Sequence, residues 1–216
     1  MKKVLTFLVL AVIMGLAAGQ GSWYPQKVGG KPIQSDGGGT NYAYAIALQT
    51  IPVAETSDDD QLFAATTGHC NQTTNINKST FLAQPDVPRN IIATFNASTS
   101  GSIKITGTDI SGAVITENLT ISSATTGAST KAFKTVTRIN ADLTTGQTNK
   151  TLKMGTGDLL GLNSKLATNT VLLAALNDTK EATAPAVTVN STVLSLNTID
   201  TNTAPGGKVT KVWYIV

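Results

Sequence analysis

GSIKITGTDISGAVITENLTI, residues 101–121, decides how this chain is read. Ile103 and Ile105 alternate with Ser102, Lys104 and Thr106. A turn-forming cluster follows. Then Ile115, Leu119 and Ile121 share a second apolar face, with Glu117 the odd member of that set. Alternation with a period of two belongs to β-strands that have one buried and one wet face. The same grammar recurs outward from this stretch. Strands are expected near 41–51, 61–66, 90–96, 102–107, 113–121, 132–140, 151–155, 171–177, 186–190, 192–199 and 208–216. Val187 and Val189 repeat the alternation, and Pro85, Pro88, Pro185 and Pro205 fall between runs, where they break no ladder. Only GDLLGL (157–162) hints at a helical turn. The spacing predicts an all-β fold: an antiparallel β-sandwich, Ig-like or jelly-roll-like, over 41–216.

Composition points the same way. The 216 residues include 35 Thr, 15 Asn, 14 Ser and 19 Gly, a bias against helices. With 41% apolar residues and a formal net charge of +3, the chain is too hydrophobic and too weakly charged for disorder. One Cys excludes a disulfide scaffold and a Cys-cluster zinc site, and one His excludes a multi-histidine metal centre.

Residues 1–19, MKKVLTFLVLAVIMGLAAG, read as a secretory signal peptide. Lys2 and Lys3 precede a short apolar run, and Ala17, Ala18 and Gly19 suit a cleavage site. A retained anchor is the rival reading, but the run is short for a bilayer and no basic stop-transfer follows. Without the leader, 14 basic and 13 acidic residues remain, scattered singly. A nucleic-acid binder needs a concentrated basic face, so nucleic acid is rejected as a partner, as is a membrane once the leader is cleaved. Residues 20–40 are rich in Gly and Pro and read as an extended N-terminal arm, with Trp23 and Tyr24 as candidate docking side chains.

Candidate chemistry is sparse. His69 and Cys70 are adjacent, and neighbours on a strand point to opposite faces, so a nucleophile pair is not expected. A lone Cys in a secreted chain is either inert or bonded to another chain, which makes Cys70 a candidate intermolecular disulfide. Asp58-Asp59-Asp60 lacks the spacing of a calcium loop and reads as a solvated loop unless folding brings Asp109 and Asp158 near. No catalytic residue, metal ligand or cofactor is assigned. The N-x-S/T pattern occurs at Asn71, Asn77, Asn96, Asn118, Asn149, Asn177 and Asn190, a mild excess that the composition could itself produce. These are acceptor candidates for N-glycosylation where they are exposed, and Asn118 must face outward from its strand to qualify. The closing strand KVTKVWYIV (208–216), with Trp213 and Tyr214, is a candidate edge for pairing with another copy, or an ordinary core strand.

Several pieces form a series: ATTG (65–68), QPDVPRNIIATF (84–95), GSIKITGTDISGAVITENLTI (101–121) and TKAFKTVTRI (130–139). MGTGDLLGL (154–162), ATNTVLLAALND (167–178), APAVTVN (184–190) and VWYIV (212–216) continue it. Together these pieces resemble a family of virion surface proteins of tailed phages, of the capsid-decoration kind. The resemblance implies a small β-rich structural protein and carries no catalytic residues. The leader departs from the pattern, because such capsids assemble in the cytoplasm. A non-enzymatic, secreted protein is therefore expected, assembling with itself, or with a capsid or cell-envelope protein, into a surface layer, sheath, filament or particle coat. The alternatives are a virion decoration protein proper and a secreted adhesin or glycan-binding module using Trp23, Tyr24, Tyr42 or Tyr44. A secreted hydrolase depending on His69 is a third.

Overall fold

The computed structural model describes residues 32–34, 40–42, 45–67, 76–143 and 151–215. The chain divides into two units, one comprising Met1–Ala47 with Ile215–Val216 and the other Leu48–Tyr214. In the first, β1 (Pro32–Gln34) and β2 (Thr40–Tyr42) pair antiparallel, Pro32 opposite Tyr42. Strand β1 thus lies in the segment read as an extended arm, 20–40, and β2 runs from its last residue into the start of the strand expected near 41–51.

The remaining strands are β3 (Ile46–Ala54), β4 (Asp58–Thr67), β5 (Ile76–Lys78), β6 (Arg89–Thr108), β7 (Val114–Ala128) and β8 (Thr135–Leu143), followed by β9 (Thr151–Gly161), β10 (Val171–Leu176), β11 (Thr179–Lys180), β12 (Ala186–Thr188), β13 (Thr198–Asp200) and β14 (Lys208–Ile215). The fold is an all-β sandwich of packed antiparallel sheets. Among the described residues the only helical element is a 3-10 turn at Leu194–Leu196.

Strand β6 is the common member. Two separate runs expected near 90–96 and 102–107 are one strand of 20 residues. Its first part pairs with β9, Ile91 opposite Thr156 and Phe95 opposite Leu152. Its second part pairs with β8, Ile103 opposite Ala141 and Thr108 opposite Thr135. Strand β7 follows it along both parts, with a register shift between Thr94 and Thr99. Gly101 has φ 137°, and a Cβ there would sit 2.3 Å from the Asp142 carbonyl oxygen. On β7, Ser123 has φ 47° and lies within the register shift between Thr99 and Gly101, its N–H donating to the Ser100 hydroxyl. Backbone shapes that favour glycine and bulges let a sheet turn a corner.

Alternation survives the corner. Ile91, Ala93 and Phe95 from the first part and Ile103 and Ile105 from the second are all buried. They join one apolar cluster with Leu62 and Phe63 of β4, Leu119 and Ile121 of β7, Ile139 and Ala141 of β8, and Leu152 and Met154 of β9. Each large side chain removed from water there contributes about 2 kcal/mol. In β8 the buried set steps from Val136 to Ile139. The register slips between Thr106 and Gly107, and that one-residue bulge returns Ile139, Ala141 and Leu143 to the core face.

A four-stranded sheet, in the order β11-β10-β14-β3, forms the other layer. Val212 and Tyr214, Ala174 and Leu176, and Ile51 and Ala54 are among its buried residues. Gln49 in β3 donates to the Gly161 carbonyl at 3.0 Å and accepts from the Asn163 N–H at 2.9 Å. The Tyr214 hydroxyl meets Ser164 at 3.0 Å and also donates to Asn163. Gln49 and Tyr214 therefore point at the same segment, so their neighbours Leu48 and Trp213 turn away from it.

Three expectations are corrected. GDLLGL is not helical; it completes β9, where Gly161 and Leu160 pair with Thr198 and Ile199 of β13. The run 192–199 splits into the 3-10 turn and the start of β13. The strand near 186–190 stops at Thr188, with Val187 half-buried.

Candidate functional site

The acidic run lies at the start of β4, not in a loop. The carboxylates of Asp58, Asp59 and Asp60 each offer an oxygen within 4.8 Å of the others. The Lys153 ammonium pairs with Asp59 at 2.6 Å. Asp58 accepts from the Asp60 N–H at 3.1 Å, which holds its carboxyl below the ordinary range. Asp60 is pushed up, first by its side-chain hydrogen bond to Asp58 and then by the repulsion of that charge. Lys153 is held above the usual lysine range by its bond to Asp59. Asp109 and Asp158 do not join them. The Asp109 carboxylate accepts from Ser111 and Ala113 and closes the β6–β7 turn. Asp158 faces Arg89. The run is thus an exposed, Lys-paired cluster of carboxylates.

The most buried charge is one the sequence did not single out. Arg89 is 0% exposed. Its Nε donates to the Gly157 carbonyl at 2.6 Å, and its Nη1 donates to the Glu55 carbonyl at 3.0 Å and to Asp86 at 3.1 Å. Asp158 lies 3.6 Å from Nη2. Asp86 in turn accepts from the Glu55 N–H. One guanidinium thus ties the β3–β4 connection to β6 and β9. These contacts hold separate chain segments together, and this geometry is that of a structural clamp.

Asn197, also fully buried, is a second hub. Its Nδ2 donates to the carbonyls of Asn190, Val193 and Leu194, and its Oδ1 accepts from the N–H groups of Leu166 and Asn190. Glu117, the odd acid of the opening stretch, accepts from the N–H groups of Thr130 and Lys131 and from the Thr130 hydroxyl. Its carboxylate organises the next turn.

A shallow groove of about 200 Å³ lies beside β10 and residues 180–187, including Val171, Leu173, Glu181 and Val187. That is less than small-molecule sites generally hold. The more informative surface is β3. Among the described residues it is an edge strand of its sheet, and Ile46, Leu48 and Val53 are 64%, 52% and 55% exposed. Gln49 turns inward beside the buried Ile51 and Ala54, while Ile46 and Leu48 turn to solvent.

Of the candidate assembly side chains, Tyr214 is 1% exposed and belongs to the core. Trp213 is half-buried and opposite Leu173 of β10. Trp23, Tyr24, His69, Cys70, Asn71 and Asn149 lie outside the described residues, as do the side chains of Tyr42 and Tyr44. Asn77, Asn96, Asn118 and Asn177 are exposed and Asn190 is half-buried. No protein-family model, curated protein or solved structure matches this chain.

Proposed function

We propose that this protein is a non-enzymatic structural subunit, exported from the cell, that assembles with itself into a surface layer, sheath, filament or particle coat. The observation that carries this reading is β3, an edge strand among the described residues, on which Ile46, Leu48 and Val53 face water. Natural sheets protect such edges with charge, proline or cover, and a stretch without them is a template for another chain. β3 holds no charged residue, and its one proline, Pro52, leaves residues 46–51 without either. The leader-like N-terminus and the resemblance to virion surface proteins support the same reading.

The test is assembly of the purified chain, followed by light scattering and negative-stain electron microscopy. Wild-type protein forms ordered layers or fibres. Leu48→Lys with Val53→Lys, both at exposed positions, abolishes them without changing the melting temperature. A wild-type chain that stays monomeric at every concentration sinks the proposal. Immunogold labelling of the source culture separates its two settings: label along cell envelopes or extracellular fibres assigns a cell-surface coat, and label confined to virus particles assigns a virion coat.

A further inference from the structure

We infer that Asn118 carries an N-linked oligosaccharide that shields the open edge of β7; this rests on the exported setting proposed above. Among the described residues β6 is the only strand neighbour of β7. Lys131 covers the far edge at one end by donating to the Thr116 carbonyl at 2.6 Å, and Glu117 is held by residues 130 and 131. From Asn118 to the end of the strand, NLTISSATTGA contains no charged residue and no proline. A long edge without either is exposed to pairing with other chains.

Asn118 stands at the start of that bare stretch. It is exposed, and Thr120, two positions on and equally exposed, shares its face of the strand. Asn118-Leu119-Thr120 is therefore an acceptor motif presented in extended form on the wet face. Its amide has no hydrogen-bond partner among the described residues. The other described acceptor motifs have the amide oxygen engaged. Asn77 accepts from Arg138, Asn96 from the Thr151 N–H, Asn177 from the Val209 N–H, and Asn190 from the N–H groups of Thr192 and Val193. Those bonds fix the rotamers of the other four, whereas neither amide atom of Asn118 is engaged among the described residues.

The donor is a sugar linked through phosphate to a polyprenyl lipid. The Asn118 Nδ2 forms a bond to the anomeric carbon. The bond from that carbon to the phosphate oxygen breaks, its electron pair leaves with the phosphate, and the amide proton passes to solvent. The Asn118 Oδ1 remains an acceptor.

Glycopeptide mass spectrometry on the protein from its native source tests the assignment. The peptide containing Asn118 should be heavier by one or more sugar residues, and Asn118→Gln should lose that increment. The Gln variant should also form larger, disordered aggregates than wild type. A wholly unmodified Asn118 peptide overturns the inference, and a modified Asn118 whose loss leaves association unchanged overturns the shielding role. The N-terminus of the same sample tells the two proposals apart. A cleaved leader with a bare Asn118 sinks only the glycan. An intact chain retained inside cells, with Asn118 bare, sinks the exported setting as well.

Discussion

Replacing Arg89 with Met removes a buried cation while keeping most of the side-chain volume. Three hydrogen bonds vanish, to the carbonyls of Gly157 and Glu55 and to the Asp86 carboxylate. Bonds to charged groups contribute about 1.5–3 kcal/mol each. Their sum overshoots, because the wild type also bears the desolvation of a guanidinium that is 0% exposed. A well-packed apolar replacement can sometimes match a buried ion pair. Here it cannot, because two of the three acceptors are backbone carbonyls that keep their place and lose their donor. Breaking such a network on one side destabilises by about 3–5 kcal/mol, and that is the expected loss for Arg89→Met. Asp158→Asn weakens a 3.6 Å contact from a carboxylate that is itself 39% exposed and also relieves its repulsion of Asp200, so it should lose under about 1 kcal/mol. Urea unfolding followed by circular dichroism reads both values, as a midpoint shift at unchanged slope. A loss below about 1 kcal/mol for Arg89→Met would refute the clamp. So would equal losses for the two variants.

Asn197→Ala removes five hydrogen bonds at once, leaving the Leu166 and Asn190 N–H groups and the Asn190 carbonyl without that partner, and should lower stability by about 3 kcal/mol, read from the same urea midpoints. Gly155→Ala would place a Cβ 1.8 Å from the Asp58 carbonyl oxygen, so β4 must leave β9. The expected loss is about 2–3 kcal/mol, with faster amide exchange along residues 58–63. Asp200 is pushed up, by burial first and by the Asp158 charge second. Its folded form therefore binds a proton more tightly than its unfolded form. Its charge destabilises the fold above the raised value, and that penalty fades as pH falls through it. Asp200→Asn should accordingly raise the melting temperature at neutral pH and lose that advantage in acid, as paired thermal melts at the two pH values would show.

The parts of the fold legible in the sequence are those with one wet face. Ile103, Ile105, Leu119 and Ile121 alternate cleanly and are buried as read. Where both faces are covered, alternation disappears. Leu160, Gly161 and Leu162 are all buried at the end of β9, and the doublet in GDLLGL then imitates a helical turn. The continuity of β6 was hidden because its middle, NASTSG, carries turn residues that here bend a strand without ending it. Short β5 left too little pattern to read. Arg89 gave no signal: its partner Asp86 is near in sequence, but Gly157 and Asp158 reach it only through the pairing of β6 with β9. Exposure of Leu48 and Val53 was equally invisible, since composition says that a residue is apolar and not which way its strand turns.

Strand β6 also sets the order in which this chain can fold. Its pairing with β7 starts at Thr108 and Val114 and zips along a local hairpin. Its pairing with β9 joins Arg89 to Leu160, and β9 must also receive Asp58 opposite Thr156. Loop-closure entropy makes the first step fast and the others slow. The core half that contains Ile91, Ala93 and Phe95 therefore stays open until most of the chain has been synthesised. A chain with that delay remains threadable for longer after leaving the ribosome. Over the same interval it displays unpaired strands to its neighbours, so crowding and synthesis rate, more than final stability, govern how much native protein is recovered.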